Sequence, residues 1–454
     1  MPFPAHIFRQ YDIRGVVGSD LHEGVARAVG RAYATELRAE IAKPTVVVGQ
    51  DNRPSSPGLA AALIEGLRAS GVDVVDLSTV PTPLVYWAEK MLGSDGALQV
   101  TGSHNPAEYN GIKMTVGGRS LYGDRIQGLR NRIEREEYSQ GGGGYRQEAI
   151  IDRYIDDIRG RIHLARPVRV AVDCGNGAGA LLAVQLLEAV GAEVTPLFCE
   201  SDGTFPNHHP DPTVDEYLVD LIRTVQDGGL ELGIGFDGDA DRVGAIDDRG
   251  RVVRGDILLL LFGLDLLERK GPGQKLVFDV KCSQVLPEVF EAHGGEAIMW
   301  KTGHSLMKEK MRETGAPIAG ELSGHICIAD DYLGFDDALY DACRLLQIVS
   351  HMDGPLSGAV DAFPQYVSTP EIRIDVTEDV KFGLVERATS HFRARYDVID
   401  VDGVRVQFGD GWGLLRASNT QPVLVARYEA QTTERLAQIR AEIEEWLRDQ
   451  GVDV

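Results

Sequence analysis

The feature that most restricts how this chain can fold is a pattern that occurs three times. Thr45-Val46-Val47-Val48-Gly49 is an unbroken strand-like run, followed by a polar turn, a helical stretch and a second strand after Gly71. Val168-Arg169-Val170-Ala171-Val172 begins the pattern again, with Gly175-Asn176-Gly177-Ala178-Gly179, a helix and then Gly191-Ala192-Glu193-Val194. Leu276-Val277-Phe278-Asp279-Val280 begins it a third time and closes near Gly294-Gly295-Glu296-Ala297-Ile298. Apolar strands alternating with amphipathic helices imply α/β units whose strands are buried on both faces. Three related α/β domains with mixed sheets are expected, at 1–150, 151–255 and 256–368. The glycine run Gln140-Gly141-Gly142-Gly143-Gly144 reads as a flexible loop near the first boundary.

After Ser368-Thr369-Pro370 the pattern changes. Glu371 to Val376 alternates as a strand, and Val380 to Phe392 reads as a helix. Val398 to Leu415 reads as a hairpin turning at Asp402-Gly403, and Val423 to Tyr428 as a strand. Thr433 to Leu447 reads as an amphipathic helix opened by Thr432 or Thr433. Residues 369–454 are thus expected to form a smaller α+β domain, and a chain of 454 residues exceeds one core in any case.

Four short polar segments carry the chemistry. Ser103, within Thr101-Gly102-Ser103-His104-Asn105-Pro106, is a nucleophilic hydroxyl beside a glycine that lets backbone amides approach an oxyanion; a helix N-cap is the competing reading. Lys113 is placed to add charge to the same phosphate. Asp237, Asp239 and Asp241 alternate after the strand-like Leu232-Gly233-Ile234-Gly235-Phe236, and three clustered carboxylates call for a hard cation, magnesium or calcium. A calcium EF-hand is disfavoured, because Arg242 stands where its sixth-position glycine belongs and Asp248 where its twelfth-position glutamate belongs.

Glu321 and Ser323, in Gly320-Glu321-Leu322-Ser323-Gly324-His325, either grip sugar hydroxyls or form an ordinary polar loop. Arg416, Ser418, Asn419 and Thr420 suit a phosphate dianion, or else form a capped turn. His304 is a weaker candidate. No P-loop is present, and Gly175 to Gly179 has the wrong spacing for a dinucleotide site, so neither ATP nor a nicotinamide cofactor is implied.

A net charge of -23 argues against nucleic acid or an anionic membrane as partner. It also requires that local cations or a bound metal hold any phosphorylated substrate. Five widely spaced cysteines without metal-ligand spacing suggest free thiols in a reducing cytosol. The first residues show no secretory signal and Ile257 to Phe262 is too short to span a bilayer, so a cytoplasmic protein is expected.

With all four segments in this order, and with Phe8-Arg9-Gln10-Tyr11-Asp12-Ile13-Arg14-Gly15 at the start, the chain resembles the α-D-phosphohexomutases over essentially its whole length. Within them it looks most like the bacterial phosphomannomutase/phosphoglucomutases. The resemblance implies four domains around a central cleft, with Ser103 carried as a phosphoserine. It implies Mg2+ bound by Asp237, Asp239, Asp241 and a phosphoserine oxygen, and a hexose 1,6-bisphosphate as intermediate and activator. Glu321 and Ser323 match the sugar-binding loop, and Arg416, Ser418, Asn419 and Thr420 the phosphate-binding loop. Tyr11, Arg14, Lys113, Arg242, Lys281, His304 and His325 fall where the family has further substrate or acid/base contacts, with Lys113, Arg14 and His325 as candidates for the proton acceptor.

The sugar loop resembles the Gly-Glu-Met-Ser-Gly-His of dual mannose/glucose enzymes more than the Gly-Glu-Gln-Ser-Gly-His of phosphoglucosamine mutases, although Leu322 departs from both. Small sugar phosphates are the expected partners, and a monomer is the family-like expectation. A phosphoglucosamine mutase, a phosphatase or a non-catalytic sugar-phosphate sensor are the alternatives.

Overall fold

The computed structural model describes residues 4–418 and 422–454. The three apolar runs form the strands Thr45–Gln50, Arg169–Asp173 and Lys275–Asp279. Val47 joins one apolar cluster while Val46 and Val48 join another, so this strand is buried on both faces.

Each of these strands lies inside its sheet, with a neighbour on both sides. A second strand lies parallel on one side: Asp73–Thr79, Glu193–Leu197 or Glu296–Trp300. A third lies parallel on the other: Gly96–Val100, Leu232–Phe236 or Ile318–Gly320. A fourth then returns antiparallel beside the third: Tyr109–Val116, Val243–Asp247 or Ile326–Ile328. The connection from third to fourth strand is therefore the same loop in all three units, at 101–108, 237–242 and 321–325. Loops at the carboxyl ends of parallel strands line the crevice of an open α/β sheet. Three of the four polar segments occupy this single topological position.

The glycine run is a loop, as expected, and it is held against the edge of the first sheet. Gly141 bridges to Ser70, and Gly143 N–H donates to Arg68 O at 2.9 Å. A Cβ on Gly143 would sit 1.8 Å from Val72 O, so glycine is needed here for close approach to the sheet edge. The chain then continues as a strand, Tyr145–Gln147, parallel to Asp73–Thr79.

The first three units share one apolar cluster that runs from Val47 to Leu356. The helix Ile151–Arg161 ties them together: the Tyr154 hydroxyl reaches both Asp337 carboxylate oxygens at 2.9 Å, and Trp87 Nε1 donates to Asp157 at 2.8 Å. Among the described residues no helix is long and apolar enough to cross a membrane.

The last unit is an antiparallel sheet with its own core under the helices Lys381–Arg393 and Thr433–Asp449. Thr432 caps the latter helix by accepting from Arg435 N–H at 3.2 Å. The span read as one hairpin holds three strands, Asp397–Ile399, Val404–Gln407 and Gly411–Ala417. Its first turn includes Asp402-Gly403 as expected; a second lies at 408–410 with Gly409 at φ 85°. In the third strand Leu415 and Ala417 enter the domain core, whereas Trp412 and Leu414 pack on Val280 of the preceding unit. Strand alternation puts Arg416 on this second face, toward the neighbouring domain.

Candidate active site

The equivalent loops of the first two units meet. Ser103 has φ 49°, in the left-handed region, and its side chain is buried. Its Oγ donates to Asp237 Oδ2 at 3.0 Å and lies 3.2 Å from His104 Nδ1. No helix starts at Ser103, so the N-cap reading falls away. The approach is close enough to require glycine at 238, where a Cβ would sit 2.4 Å from Ser103 O.

Asp237, Asp239 and Asp241 are fully buried and bring one carboxylate oxygen each within 4.8 Å of the others. Asp237 Oδ1 accepts from the backbone N–H of Asp241 and Arg242, at 3.0 and 3.1 Å. Lys113 Nζ donates to Asp239 Oδ2 at 2.8 Å and to Asp241 Oδ2. Ile112 and Met114 point into the core, so strand alternation turns Lys113 the other way, onto this triplet.

Burial and the neighbouring carboxylates push Asp237 well above the usual carboxylate range. Burial also works to raise Asp239, yet Lys113 holds it below that range. Burial opposes the charge on Lys113, and Asp239 and Asp241 override it, so the ammonium is held firmly protonated. Asp239 Oδ1 and Asp241 Oδ1 are buried with no hydrogen-bond partner. Unpaired buried carboxylate oxygens are costly, and an all-oxygen set with two of them open fits a hard divalent cation.

The loop of the third unit closes on the second. Arg242 Nε donates to His325 Nε2 at 3.0 Å, while His325 Nδ1 lies 3.1 Å from the backbone oxygen of Asp241. A carbonyl can only accept, so the ring proton sits on Nδ1 and Nε2 carries the lone pair. Burial and Arg242 both lower His325, in keeping with a neutral ring. His304 stacks on His325 with centroids 5.3 Å apart, and its Nδ1 faces Asp336 Oδ2 at 3.1 Å. Glu321 accepts from Gly303 N–H with one oxygen and from the Ser323 hydroxyl with the other, at 3.2 Å. Burial raises Glu321.

The remaining candidates frame this centre. Arg14 donates to Asp12 and, at 3.0 Å, to Gly102 O, beside Ser103. The Tyr11 hydroxyl donates to Thr302 O at 3.0 Å. Arg416 and Lys281 form a second group at the junction with the last domain. Arg416 lies among the last paired residues of the strand Gly411–Ala417, just before the loop, and it pairs with Asp402 at 3.0 Å. Asp402 also accepts from Thr302 N–H at 3.1 Å, linking this group to the His304 turn. Lys281 pairs with Glu371 at 2.9 Å. The Ser418 carbonyl accepts from Lys381 at 2.7 Å; Asn419 and Thr420 lie outside the described residues.

Three residues were not picked out in sequence. Arg53, fully buried, uses all five N–H groups: Asp51 at 3.0 Å, and the carbonyls of Ser103, Asn105 and Pro106 at 2.6 Å and Tyr109 at 3.1 Å. It fixes the serine loop from beneath. The charged turn Asp51-Asn52-Arg53 directly after a buried strand is the signal that could have revealed it. Asp336 takes Lys308 at 2.7 Å as well as His304, and Thr82 donates to Asp239 from a helix start. Neither has a local signature.

Family models for phosphoglucomutase/phosphomannomutase match along the chain: α/β/α domain I at 5–140, domain II at 152–250, domain III at 254–366 and the C-terminal domain at 371–445. A phosphomannomutase/phosphoglucomutase of Pseudomonas putida is 47% identical over 438 residues, 96% of this chain and 94% of that protein. A phosphoglucomutase of Neisseria gonorrhoeae is 44% identical over 96% of this chain and 95% of its own length. The crystal structure of a phosphoglucomutase/phosphomannomutase family protein from Burkholderia thailandensis superposes with a TM-score of 0.92 at 44% identity, covering 98% of this chain and 97% of that one. With matches of this extent in all four units, the chain belongs to the phosphoglucomutase/phosphomannomutase family.

Proposed function

We propose that this chain is a phosphohexomutase that interconverts the 1-phosphates and 6-phosphates of mannose and glucose, through a phosphoserine at Ser103 and a hexose 1,6-bisphosphate. One observation carries the proposal: the Ser103 hydroxyl lies 3.0 Å from Asp237 in a buried carboxylate triplet that has two oxygens unpaired. Magnesium held by Asp237, Asp239, Asp241 and a phosphoryl oxygen would withdraw charge from the transferring group.

The protein's own groups divide the remaining work. The sugar hydroxyl that attacks the Ser103 phosphoryl must lose its proton. Lys113 is committed as a charged ammonium between two carboxylates, and the Arg14 guanidinium carries no acceptor. His325 holds a lone pair on Nε2, so it is the base favoured here once Arg242 turns its N–H to the incoming phosphate. Arg14, beside Gly102 O, adds positive charge at the transferring group.

The bisphosphate then reverses end for end and returns its other phosphoryl group to Ser103. Glu321 and Ser323 hold sugar hydroxyls in either orientation. Arg416 and Ser418, with Asn419 and Thr420, hold whichever phosphate is remote from the serine. Tyr11, His304 and Lys281 line the path between the two groups. Water must be kept out, because hydrolysis of the phosphoserine would leave the enzyme inactive.

The deciding assay compares mannose 1-phosphate, glucose 1-phosphate and glucosamine 1-phosphate with a trace of hexose 1,6-bisphosphate. Conversion of the first two to 6-phosphates is the expected result. Preferential turnover of glucosamine 1-phosphate would replace the substrate assignment, and inorganic phosphate without isomerised sugar would replace the reaction.

A further inference from the structure

Away from the cleft, two thiols meet in the second unit. Beyond the paired residues Asp173 and Leu197, the two parallel strands run on side by side. Cys174 N–H donates to Leu197 O at 3.2 Å, and Asn176 N–H to Phe198 O at 2.9 Å. Phe198 has φ 47°, a left-handed conformation uncommon for an aromatic residue, and the next residue, Cys199, meets the neighbouring segment. The two sulfur atoms are 3.0 Å apart. Neighbouring strands lie roughly 4.8 Å apart, within the Cα range a disulfide spans, so bond formation needs the sulfurs to close by only about 1 Å.

The pair is accessible from one side. Cys174 is buried, whereas Cys199 is half-buried and lines a cavity of about 640 Å³ with Asn176, Leu181, Gln185, Glu188 and Asn207. Cys199 is therefore the member that an oxidant in the cavity reaches first, with Cys174 directly behind it.

We infer that Cys174 and Cys199 are a dithiol modification site, oxidised to a disulfide by a small hydroperoxide entering this cavity, and that closure disturbs the metal-binding loop. Cys199 gives up its proton as its sulfur attacks one peroxide oxygen; the O–O bond breaks, a sulfenic acid forms and the leaving hydroxide takes that proton to become water. The Cys174 sulfur then attacks that sulfur, the S–O bond breaks, and the departing hydroxide takes the Cys174 proton as a second water. Two thiols lose two electrons, and one hydrogen peroxide is reduced to two waters.

The path to the metal loop is short. Ala178 N–H donates to Gly238 O at 2.9 Å, and a Cβ on Gly177 would sit 2.7 Å from the same oxygen. Gly238 separates Asp237 from Asp239. Asn176 O accepts from Asn52 at 2.7 Å, next to Arg53 and the serine loop. A pull on Cys174 therefore acts on the backbone that presents the carboxylates.

Reduced full-length protein, treated with hydrogen peroxide, is followed by intact mass, non-reducing peptide mapping, hydrogen exchange across residues 236–243 and turnover. A mass loss of about 2 Da with a Cys174–Cys199 cross-linked peptide is expected. Exchange across 236–243 should quicken and turnover fall about tenfold, since an ångström of misplacement near the chemistry is costly. All changes should reverse with dithiothreitol and be absent from Cys199→Ser, whose untreated turnover matches the parent. Failure to cross-link, or a cross-linked protein whose 236–243 exchange is unchanged, overturns the inference. Only the turnover figure rests on the proposed mutase function: reduced protein without turnover would count against that function, while mapping and exchange still decide the dithiol.

Discussion

Replacing Arg53 with lysine keeps a positive charge beside Asp51 and removes only the geometry of the guanidinium. All five Arg53 donors are in use, three of them on carbonyls of the serine loop and one on Tyr109 O just beyond it. An ammonium has three donors, so at least two of these five charge-assisted hydrogen bonds are lost. Each costs about 1–3 kcal/mol, for a total destabilisation of roughly 2–6 kcal/mol. The carbonyls that Arg53 holds include that of Ser103, whose φ of 49° needs support from its surroundings. Turnover of Arg53→Lys should fall about 10–100-fold through misplacement of the hydroxyl. KM should change little, since Arg53 touches neither the sugar loop nor the phosphate loop. A coupled assay of hexose 6-phosphate formation and a urea denaturation curve measure both quantities on the same preparation. Parental turnover and midpoint in the variant would refute the role assigned to Arg53.

Other outcomes follow from the same geometry. Chelation of divalent metal should abolish turnover and added magnesium restore it, because Asp239 and Asp241 offer buried oxygens without partners; full rate in excess chelator would contradict the metal role. Arg416→Ala should raise KM about 10–100-fold with little change in kcat, as expected for loss of charge-assisted hydrogen bonds to a remote phosphate; unchanged kinetics would remove Arg416 from the clamp. Lys281 depresses Glu371 to about 2, so the stability this pair contributes is present above the unfolded glutamate range and is lost as pH falls from about 4.5 toward 2. Glu371→Gln should flatten the stability profile in that acid window, and a parental slope would show that the pair carries no such linkage.

Much of this arrangement was legible because it is written locally. A continuous apolar run specifies a strand buried on both faces, and its threefold recurrence specifies three similar sheets. The polar segments at 101–108, 237–242 and 321–325 stood out because each interrupts an apolar pattern at the carboxyl end of a strand. Arg53 and Asp336 did not stand out, since a single charge has no period. Arg53 meets Ser103 across 50 residues, and the Lys308–Asp336 pair spans 28. Glycine carries two meanings, and the run at 141–144 is a loop in which Gly143 also serves close approach. The turn at 408–410 was hidden because strand-like alternation continues through both of its arms. The net charge of -23 was a warning that local structure answers: Arg14, Lys113, Arg242, Lys281 and Arg416 all converge on the cleft loops or their supports.

The most direct test follows a labelled phosphoryl group. Protein carrying radioactive phosphate on Ser103 is mixed with unlabelled glucose 6-phosphate and quenched within one turnover. The label should leave the serine and appear in glucose 1,6-bisphosphate, and Ser103→Ala should take up no label. Label that remains on the protein, or that emerges as inorganic phosphate, would contradict transfer between this serine and the sugar.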